Sequence, residues 1–266
     1  MPDKGRIQQG ARFLFEDHQA RRPFGPIPQP FAPRTLDEAY AVQEEFHTLL
    51  AGTHGLIAGY KIGLTTPVMQ QMVGLNEPIA GAILANTVHP SPVTLRRKDY
   101  IHLGVECEIA VRLGADLPAA AAPFARDRVA DAVEAAMASL ELIDDREADY
   151  SKLAALALTC LADNAWNAGI VLGQPVMDWR KVDLARARGV LTVNGEVVGE
   201  GRGSDVMGHP LEALVWLANM LAKRGKDLTK GMIVMTGSMI ATQFLEPGDW
   251  ASLSVDGLGE VRLTVS

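Results

Sequence analysis

Apolar and acidic residues alternate along residues 104–111, which read GVECEIAV. Side chains on a strand point to opposite faces in turn, so this pattern predicts a strand with one apolar face. That face carries Val105, Cys107, Ile109 and Val111. Glu106 and Glu108 then share the other face, roughly 7 Å apart. Like charges at that spacing are typical either of a solvated edge or of a shared cation.

A third carboxylate, Glu141, interrupts an apolar run over residues 139–146 that is typical of a buried strand. Helical spacing of three upstream residues predicts a helix before this strand: Val129, Val133 and Met137. A helix that continues through residue 144 is the alternative, because Leu and Glu are good helix formers. Carboxylates are hard oxygen ligands, so three of them would favour Mg²⁺ or Mn²⁺ over Zn²⁺.

The N-terminal residues divide into two helices and a proline-rich connector. A helix is predicted over about residues 7–20, and five prolines between residues 23 and 33 predict an extended segment that lies over the surface or reaches a neighbouring subunit. Thr35 and Glu38 form a capping box for a helix over residues 36–50. The apolar residues of the connector favour a homo-oligomer: Phe24, Ile27 and Phe31.

Lys61 lies in a predicted strand over residues 57–64, which precedes a short helix over residues 67–73. An ordinary surface lysine is the alternative interpretation. The apolar segment 154–161 fits a buried element of either type.

Strand patterns are concentrated late in the chain. Asn194 and Gly195 predict the turn of a hairpin over residues 190–198, and a helix is predicted from Pro210 to Gly225. Strands follow over residues 232–235, 250–255 and 260–265, with the small residues 236–238 in a turn after the first. Helices early and strands late indicate an α+β protein rather than a doubly wound sheet.

Composition narrows the function. The formal net charge of −7 repels phosphate backbones and anionic membranes, so nucleic-acid and membrane partners are not expected. The glycine-rich loop 201–204 lacks the lysine and spacing of a phosphate cradle. The chain has two cysteines, Cys107 and Cys160, and no segment of signal-peptide or membrane-spanning length. These features favour a cytoplasmic protein, in which we expect both thiols to be buried.

Six short segments carry a resemblance. They are GYKIGLT at 59–65, ECE at 106–108, LELID at 140–144, ADN at 162–164, GRGS at 201–204 and GHP at 208–210. In this order and spacing they resemble the hydratase/decarboxylase branch of the fumarylacetoacetate hydrolase superfamily. The branch includes 2-hydroxypenta-2,4-dienoate (vinylpyruvate) hydratases, 2-oxohept-4-ene-1,7-dioate hydratases and 4-oxalocrotonate decarboxylases. The resemblance implies a mixed β-sheet roll with peripheral helices, as a single catalytic domain over residues 35–266 after an extension over 1–34.

The resemblance also implies roles for particular residues. Glu106, Glu108 and Glu141 would hold Mg²⁺ or Mn²⁺, and Lys61 would stabilise a dienolate or carry a proton if its pKa is lowered. An active-site loop would bind the substrate carboxylate through Thr236, Gly237 and Ser238. The implied enzyme is a hydratase of meta-cleavage aromatic catabolism, which adds water to a 2-hydroxy-2,4-dienoate and gives a 4-hydroxy-2-oxo acid.

Two departures keep other activities open. Vinylpyruvate hydratases typically have Asp where this chain has Ile79, and the Pro-Arg that often precedes the first metal-binding Glu is Leu103-Gly104 here. Ile79 and residues 100–102 look more like the decarboxylases. Residues 164–169 and 201–210 look more like the hydratases. A 4-oxalocrotonate-type decarboxylase is therefore the second candidate, followed by another 2-oxo acid or 1,3-dicarbonyl lyase or hydrolase, and by a metal-stabilised 2-oxo acid binding protein. A complex with a pathway decarboxylase or hydratase is also expected.

Overall fold

A computed structural model describes residues 3–266. The helices are α1 (Lys4–Gln19), α2 (Leu36–His54), α3 (Pro67–Val73), α4 (Arg126–Ala132), α5 (Leu153–Ala162) and α6 (Pro210–Lys223). The strands up to the middle of the chain are β1 (Ile57–Gly63), β2 (Ile79–Leu84), β3 (Val88–Pro90), β4 (Val93–Leu95), β5 (Leu103–Leu113), β6 (Val133–Asp144) and β7 (Asn167–Leu172). The later strands are β8 (Arg188–Val193), β9 (Glu196–Arg202), β10 (Ile233–Ser238), β11 (Gln243–Phe244), β12 (Trp250–Val255) and β13 (Gly259–Val265).

The strands form two mixed sheets. The larger has the order β2-β1-β10-β5-β6-β7-β3, with β11 also paired to β5, and the smaller has the order β4-β13-β12-β8-β9. Parallel pairing joins β1 to β10, β3 to β7 and β4 to β13, and the other neighbours are antiparallel. This arrangement confirms the predicted α+β class.

One apolar core lies between the two sheets. It contains the predicted apolar face of β5, including Val105 and Ile109, together with Leu253 of β12 and Val261 of β13. The opposite face of the larger sheet is apolar at one end, where Ala110, Met137 and Met235 pack in a second cluster. Its other end carries the acidic residues.

The N-terminal segment folds onto its own chain. Ile7, Ala11 and Leu14 of α1 belong to the main core, and in the connector Ile27 is buried in that core. Phe24 is buried in a smaller cluster with Leu153 of α5. Phe31 is half-buried against the main core. The apolar side chains that favoured an oligomer are thus wholly or partly covered within this chain, so they give that prediction little support.

Three local predictions change. Val133 and Met137 lie on β6 rather than on a helix, because both residues pair with β5, and this ladder overrides the helix propensity of an alanine-rich segment. Residues 236–238 end β10 instead of forming a turn. The longest strands, β5 and β6, lie in the middle of the chain rather than late.

Other elements appear where the pattern placed them. The hairpin of β8 and β9 turns at Asn194 and Gly195, whose φ angles are 53° and 86°. The ambiguous segment is helix α5, and both cysteines are buried as predicted. Among residues 3–266, no helix is long and apolar enough to cross a membrane.

Candidate active site

Four adjacent strands of the larger sheet bring the predicted site residues together. Lys61 is on β1, Ser238 on the neighbouring β10, Glu108 on β5 and Glu141 on β6. The register sets Glu141 directly opposite Glu106, and Glu108 opposite Ser238. Cross-strand partners point to the same face, so residues far apart in sequence converge at one end of the sheet.

Glu106, Glu108 and Glu141 form what we call the acid cluster. Each contributes a carboxylate oxygen, and these three oxygens lie within 4.8 Å of one another. Glu108 and Glu141 are fully buried and Glu106 is half-buried, so the solvated-edge interpretation is wrong.

One oxygen of each carboxylate is held by a hydrogen bond from a neighbouring element. The amide of Gly237 donates to Glu108 Oε2 (2.7 Å), Asn167 Nδ2 donates to Glu141 Oε1 (2.9 Å), and Thr242 Oγ1 donates to Glu106 Oε1 (2.6 Å). The remaining oxygens of the two buried acids, Glu108 Oε1 and Glu141 Oε2, have no partner. A buried carboxylate oxygen without a partner is costly, and a hard divalent cation satisfies this donor set.

Burial and mutual repulsion raise the pKa values of the two buried acids. For Glu108 the causes are burial, then the charges of Glu141 and Glu106. For Glu141 burial is again the largest cause of the raised pKa; the charge of Lys61 lowers this pKa and the charge of Glu106 raises it. The acid cluster therefore favours binding either protons or a cation.

Lys61 is buried, with Nζ 3.1 Å from Glu141 Oε1, so it is neither a surface lysine nor without an acidic partner. Burial lowers its pKa, but the charges of Glu141, Glu106 and Glu108 outweigh burial and raise the pKa of Lys61 overall. The ammonium form is thus favoured, which fits the stabilisation of negative charge better than the proton-carrier role that needs a lowered pKa.

Residues 236–238 form the end of β10 and are hydrogen-bonded to β5. Thr236 is fully buried and its hydroxyl donates to the carbonyl of Ile109 (2.8 Å), so this hydroxyl is used within the sheet. Ser238 Oγ donates to the carbonyl of Ile240 (2.6 Å). At Gly237 φ is 118°, and a Cβ would lie 2.5 Å from Cγ2 of Thr65, so only glycine brings this amide to Glu108 without displacing Thr65.

A cavity of about 580 Å³ adjoins the acid cluster. Lys61, Glu106, Ser238 and Thr242 line it together with residues of α3 and α5, whereas Thr236 does not. The cavity provides a space beside the acid cluster that is large enough for a small organic acid.

The model of the fumarylacetoacetate (FAA) hydrolase C-terminal family matches residues 76–266. The chain belongs to this family. A 2-keto-4-pentenoate hydratase of Paraburkholderia phymatum is 31% identical over the whole of both chains. A 4-oxalocrotonate decarboxylase of Pseudomonas putida is 33% identical over 85% of this chain and 84% of its own length. These relatives confirm the predicted branch of the family and the prediction that the chain is an enzyme.

A solved family structure shows the same fold across the whole chain. The 4-oxalocrotonate decarboxylase from Pseudomonas putida, complexed with magnesium and adipate, superposes with a TM-score of 0.90 at 28% identity, covering 100% of this chain and 99% of that chain. The sheet roll with peripheral helices expected from the resemblance is therefore confirmed.

A second group of buried acids in this family member has no oxygen free. We call Asp145 and Asp163 the acid pair. Asp163 binds His18 Nε2 (2.5 Å) and the guanidinium of Arg146. Burial raises the pKa of Asp163, but these two partners outweigh burial and lower it overall.

Asp145 is likewise fully buried and fully bonded. It accepts hydrogen bonds from His102 Nδ1 (2.7 Å), the hydroxyl of Tyr150 (2.8 Å) and the amide of Glu147 (3.0 Å). Tyr150 also lines the cavity, so the acid pair supports one of its walls.

Sequence reasoning missed several residues that hold the site together. Asn167 lies in a segment already singled out for its resemblance to hydratases, so a signal existed. Thr242 had none, because it follows β10 by a few residues and reaches Glu106 only through the pairing of β11 with β5.

Proposed function

We propose that this protein is a divalent-metal-dependent hydratase that adds water to a 2-hydroxy-2,4-dienoate and yields a 4-hydroxy-2-oxo acid, in meta-cleavage aromatic catabolism. The acid cluster carries the proposal, since its two unpartnered buried oxygens lie beside a buried lysine and a cavity. The full-length hydratase relative supports the choice of reaction.

Glu106, Glu108 and Glu141 would hold Mg²⁺ or Mn²⁺, as three hard oxygen donors suit either ion. When bound, the ion supplies a Lewis acid that withdraws electron density from a keto oxygen of the substrate. Gly237, Asn167 and Thr242 keep the three carboxylates in position, because each donates a hydrogen bond to one of their oxygens.

Lys61 would stabilise the negative charge that grows on the substrate oxygen. Its ammonium is buried, fixed by Glu141 and part of the cavity wall, so it is already oriented when charge develops. Ser238, which lines the cavity, is proposed to contact the substrate carboxylate. Gly237 would act through Glu108, because its amide already donates to that side chain. Thr236 would contribute only by fixing β10 against β5, because its hydroxyl bonds Ile109.

Tyr150 is proposed to orient the added water. Its hydroxyl proton is donated to Asp145, which leaves the oxygen lone pairs as acceptors for a water hydrogen. Burial and the neighbouring Asp145 raise the pKa of Tyr150, so it stays neutral near physiological pH.

A 4-oxalocrotonate-type decarboxylase is the second candidate. Ile79 lines the cavity where hydratases have Asp, and both a 33% identical relative and the solved structure with the same fold are decarboxylases. In that reaction a 2-oxo-3-enedioate would lose its distal carboxylate as CO₂.

A substrate panel separates these candidates. Purified protein is supplied with Mg²⁺ or Mn²⁺ and given 2-hydroxypenta-2,4-dienoate, a 2-oxo-3-enedioate, other 2-oxo acids and 1,3-dicarbonyl compounds. The hydratase consumes the dienoate, measured by loss of dienol absorbance, without releasing CO₂. Release of CO₂ from the enedioate with no turnover of the dienoate would establish the decarboxylase. Binding without turnover of any compound would contradict both candidate activities.

Assembly and location are also proposals. We propose a cytoplasmic homo-oligomer that associates with a pathway decarboxylase or hydratase, as the family resemblance leads us to expect. Light scattering at micromolar concentration tests the first part, and a stable monomer mass would contradict it.

A further inference from the structure

The cavity beside the acid cluster contains few charged groups. Among the described residues 3–266, Lys61 is the only lysine or arginine that lines it. The other charged lining residues are the acids Glu106 and Asp205. Lys61 is already paired with Glu141, next to the proposed metal site. A second carboxylate on a ligand would therefore find no cation of its own in the cavity.

The rest of the wall is largely apolar. Helices α3 and α5 pack on each other, with Val73, Leu153, Ala157 and Cys160 in one buried cluster. The apolar side chains that line the cavity come from α3 (Met69 and Met72), α5 (Leu153) and β2 (Ile79), with Leu75 and Trp166 from the segments that follow the two helices. Methionine side chains adapt to ligands of different shape, and apolar walls favour apolar ligand surface.

Volume points in the same direction. The cavity of about 580 Å³ lies within the range of roughly 300–1,000 Å³ that holds drug-sized ligands. A five-carbon acid bound at the acid cluster would leave much of this space and its apolar wall unfilled.

We propose that the preferred substrate is a 2-oxo acid, or its dienol, whose remaining chain is an extended apolar group, and that acids ending in a second carboxylate are disfavoured. This inference rests on the proposed function, because it assigns the oxo-acid head to the acid cluster and Lys61. The apolar chain contacts the wall formed by α3 and α5. An acidic chain end would face these apolar side chains in a cavity that also contains Asp205, with no neutralising partner.

Binding measurements on saturated 2-oxo acids test the inference without turnover. Calorimetry in the presence of Mg²⁺ compares 2-oxobutanoate, 2-oxohexanoate, 2-oxooctanoate and 2-oxoadipate. Affinity is expected to rise by up to about fourfold for each methylene added. 2-Oxohexanoate is expected to bind at least about tenfold more tightly than 2-oxoadipate, which has the same number of carbons.

Two lysine variants on α3 locate the effect. Met72 lines the cavity and is partly exposed, so Met72→Lys places a cation in the wall; Val68 is on the same helix but does not line the cavity. Met72→Lys is expected to shift the preference toward 2-oxoadipate by at least about tenfold, and Val68→Lys to leave it unchanged.

The outcomes separate the two proposals. If 2-oxobutanoate binds but 2-oxoadipate binds as tightly as 2-oxohexanoate, the apolar-chain inference is wrong and the proposed function stands. Equal effects of the two lysine variants would also overturn the inference. If none of the four acids binds in the presence of Mg²⁺ or Mn²⁺, the proposed function fails, and this inference fails with it.

Discussion

The acid cluster and the acid pair both contain fully buried carboxylates, yet the partners of these carboxylates differ. Asp163 bonds Arg146 and His18, and Asp145 accepts three hydrogen bonds. Glu108 and Glu141 each keep a buried oxygen without a partner. The pKa of Asp163 is lowered, whereas those of Glu108 and Glu141 are raised.

This difference separates structural acids from functional acids by the charge around them. A guanidinium partner lowers the free-energy cost of burying a carboxylate, and removal of one member of such a pair destabilises the fold. A buried cluster of carboxylates with one lysine keeps an excess of negative charge, which a metal ion can neutralise. Removing a member of the acid cluster should therefore affect metal binding and activity, whereas removing a member of the acid pair should affect stability.

The largest effect is expected in the acid cluster. Replacing Glu106, Glu108 or Glu141 with Ala should abolish metal-dependent thermal stabilisation and lower kcat/KM by at least about ten-thousandfold, more than about 5 kcal/mol, because the Lewis acid and the site for the oxo acid are lost together. Melting temperatures with and without Mg²⁺ or Mn²⁺, alongside kinetics, measure both. A triple Ala variant that binds metal like the wild type would refute the ligand assignment.

The acid pair should respond in stability instead. Asp163→Asn leaves the buried guanidinium of Arg146 without its negative partner, which typically costs about 3 to 5 kcal/mol of unfolding free energy. Urea unfolding measures the loss, and metal titration of the folded variant should match the wild type. A variant with unchanged stability and weakened metal binding would reverse the distinction between the two groups.

Lys61 tests the charge balance within the acid cluster. Lys61→Met should lower kcat/KM by about a hundredfold to a thousandfold, roughly 2.7 to 4 kcal/mol, as one preorganised positive group is lost from the transition state. Metal binding should persist, since all three carboxylates remain. Retention of more than about a third of kcat/KM corresponds to well under 1 kcal/mol and would contradict the catalytic role.

The smallest expected effect is a pH dependence of stability in the metal-free protein. Above the usual glutamate pKa of 4.5 and below the raised values, folded Glu108 and Glu141 hold more protons than the unfolded chain. Their contribution to stability is therefore present at low pH and falls as pH rises through this window. Asp163 has the opposite sign, because its stabilisation is present above 3.8 and is lost as pH falls through its lowered pKa.

Urea unfolding at about pH 5 and about pH 8 measures this slope without metal. Glu108→Gln should flatten it, because the variant removes one of the two titrating groups while keeping the side-chain volume. Mg²⁺ should stabilise the wild type more at the higher pH, where protons no longer compete for the carboxylates. A metal-free protein that gains stability throughout this range would show that the acid cluster is not strained by its charge.

Local pattern located the residues of the acid cluster better than the groups that surround them. The period of two placed Glu106 and Glu108 on one face, and an acid within an apolar run marked Glu141. Convergence itself came only from the family resemblance. The bonds to Thr242, Gly237 and Asn167, and those joining Asp163 to His18 and Arg146, depend on tertiary pairing that no local pattern encodes.

The same limit explains the errors in the fold. Val133 and Met137 have helical spacing, but pairing with β5 outweighs their helix propensity. The small residues 236–238 suggested a turn, whereas pairing with β5 extends the strand through Ser238. In each case a partner distant in sequence decided the local structure.

The position of β10 between β1 and β5 has a consequence for synthesis of the chain. Lys61 belongs to the first quarter of the sequence, and the strand that brings β1 beside β5 is not made until residues 233–238. A nascent chain that lacks these residues has the three glutamates but not the Gly237 amide that holds Glu108. Metal binding with full affinity would thus require the complete sheet, so the metal would stabilise the complete chain more than its incomplete fragments.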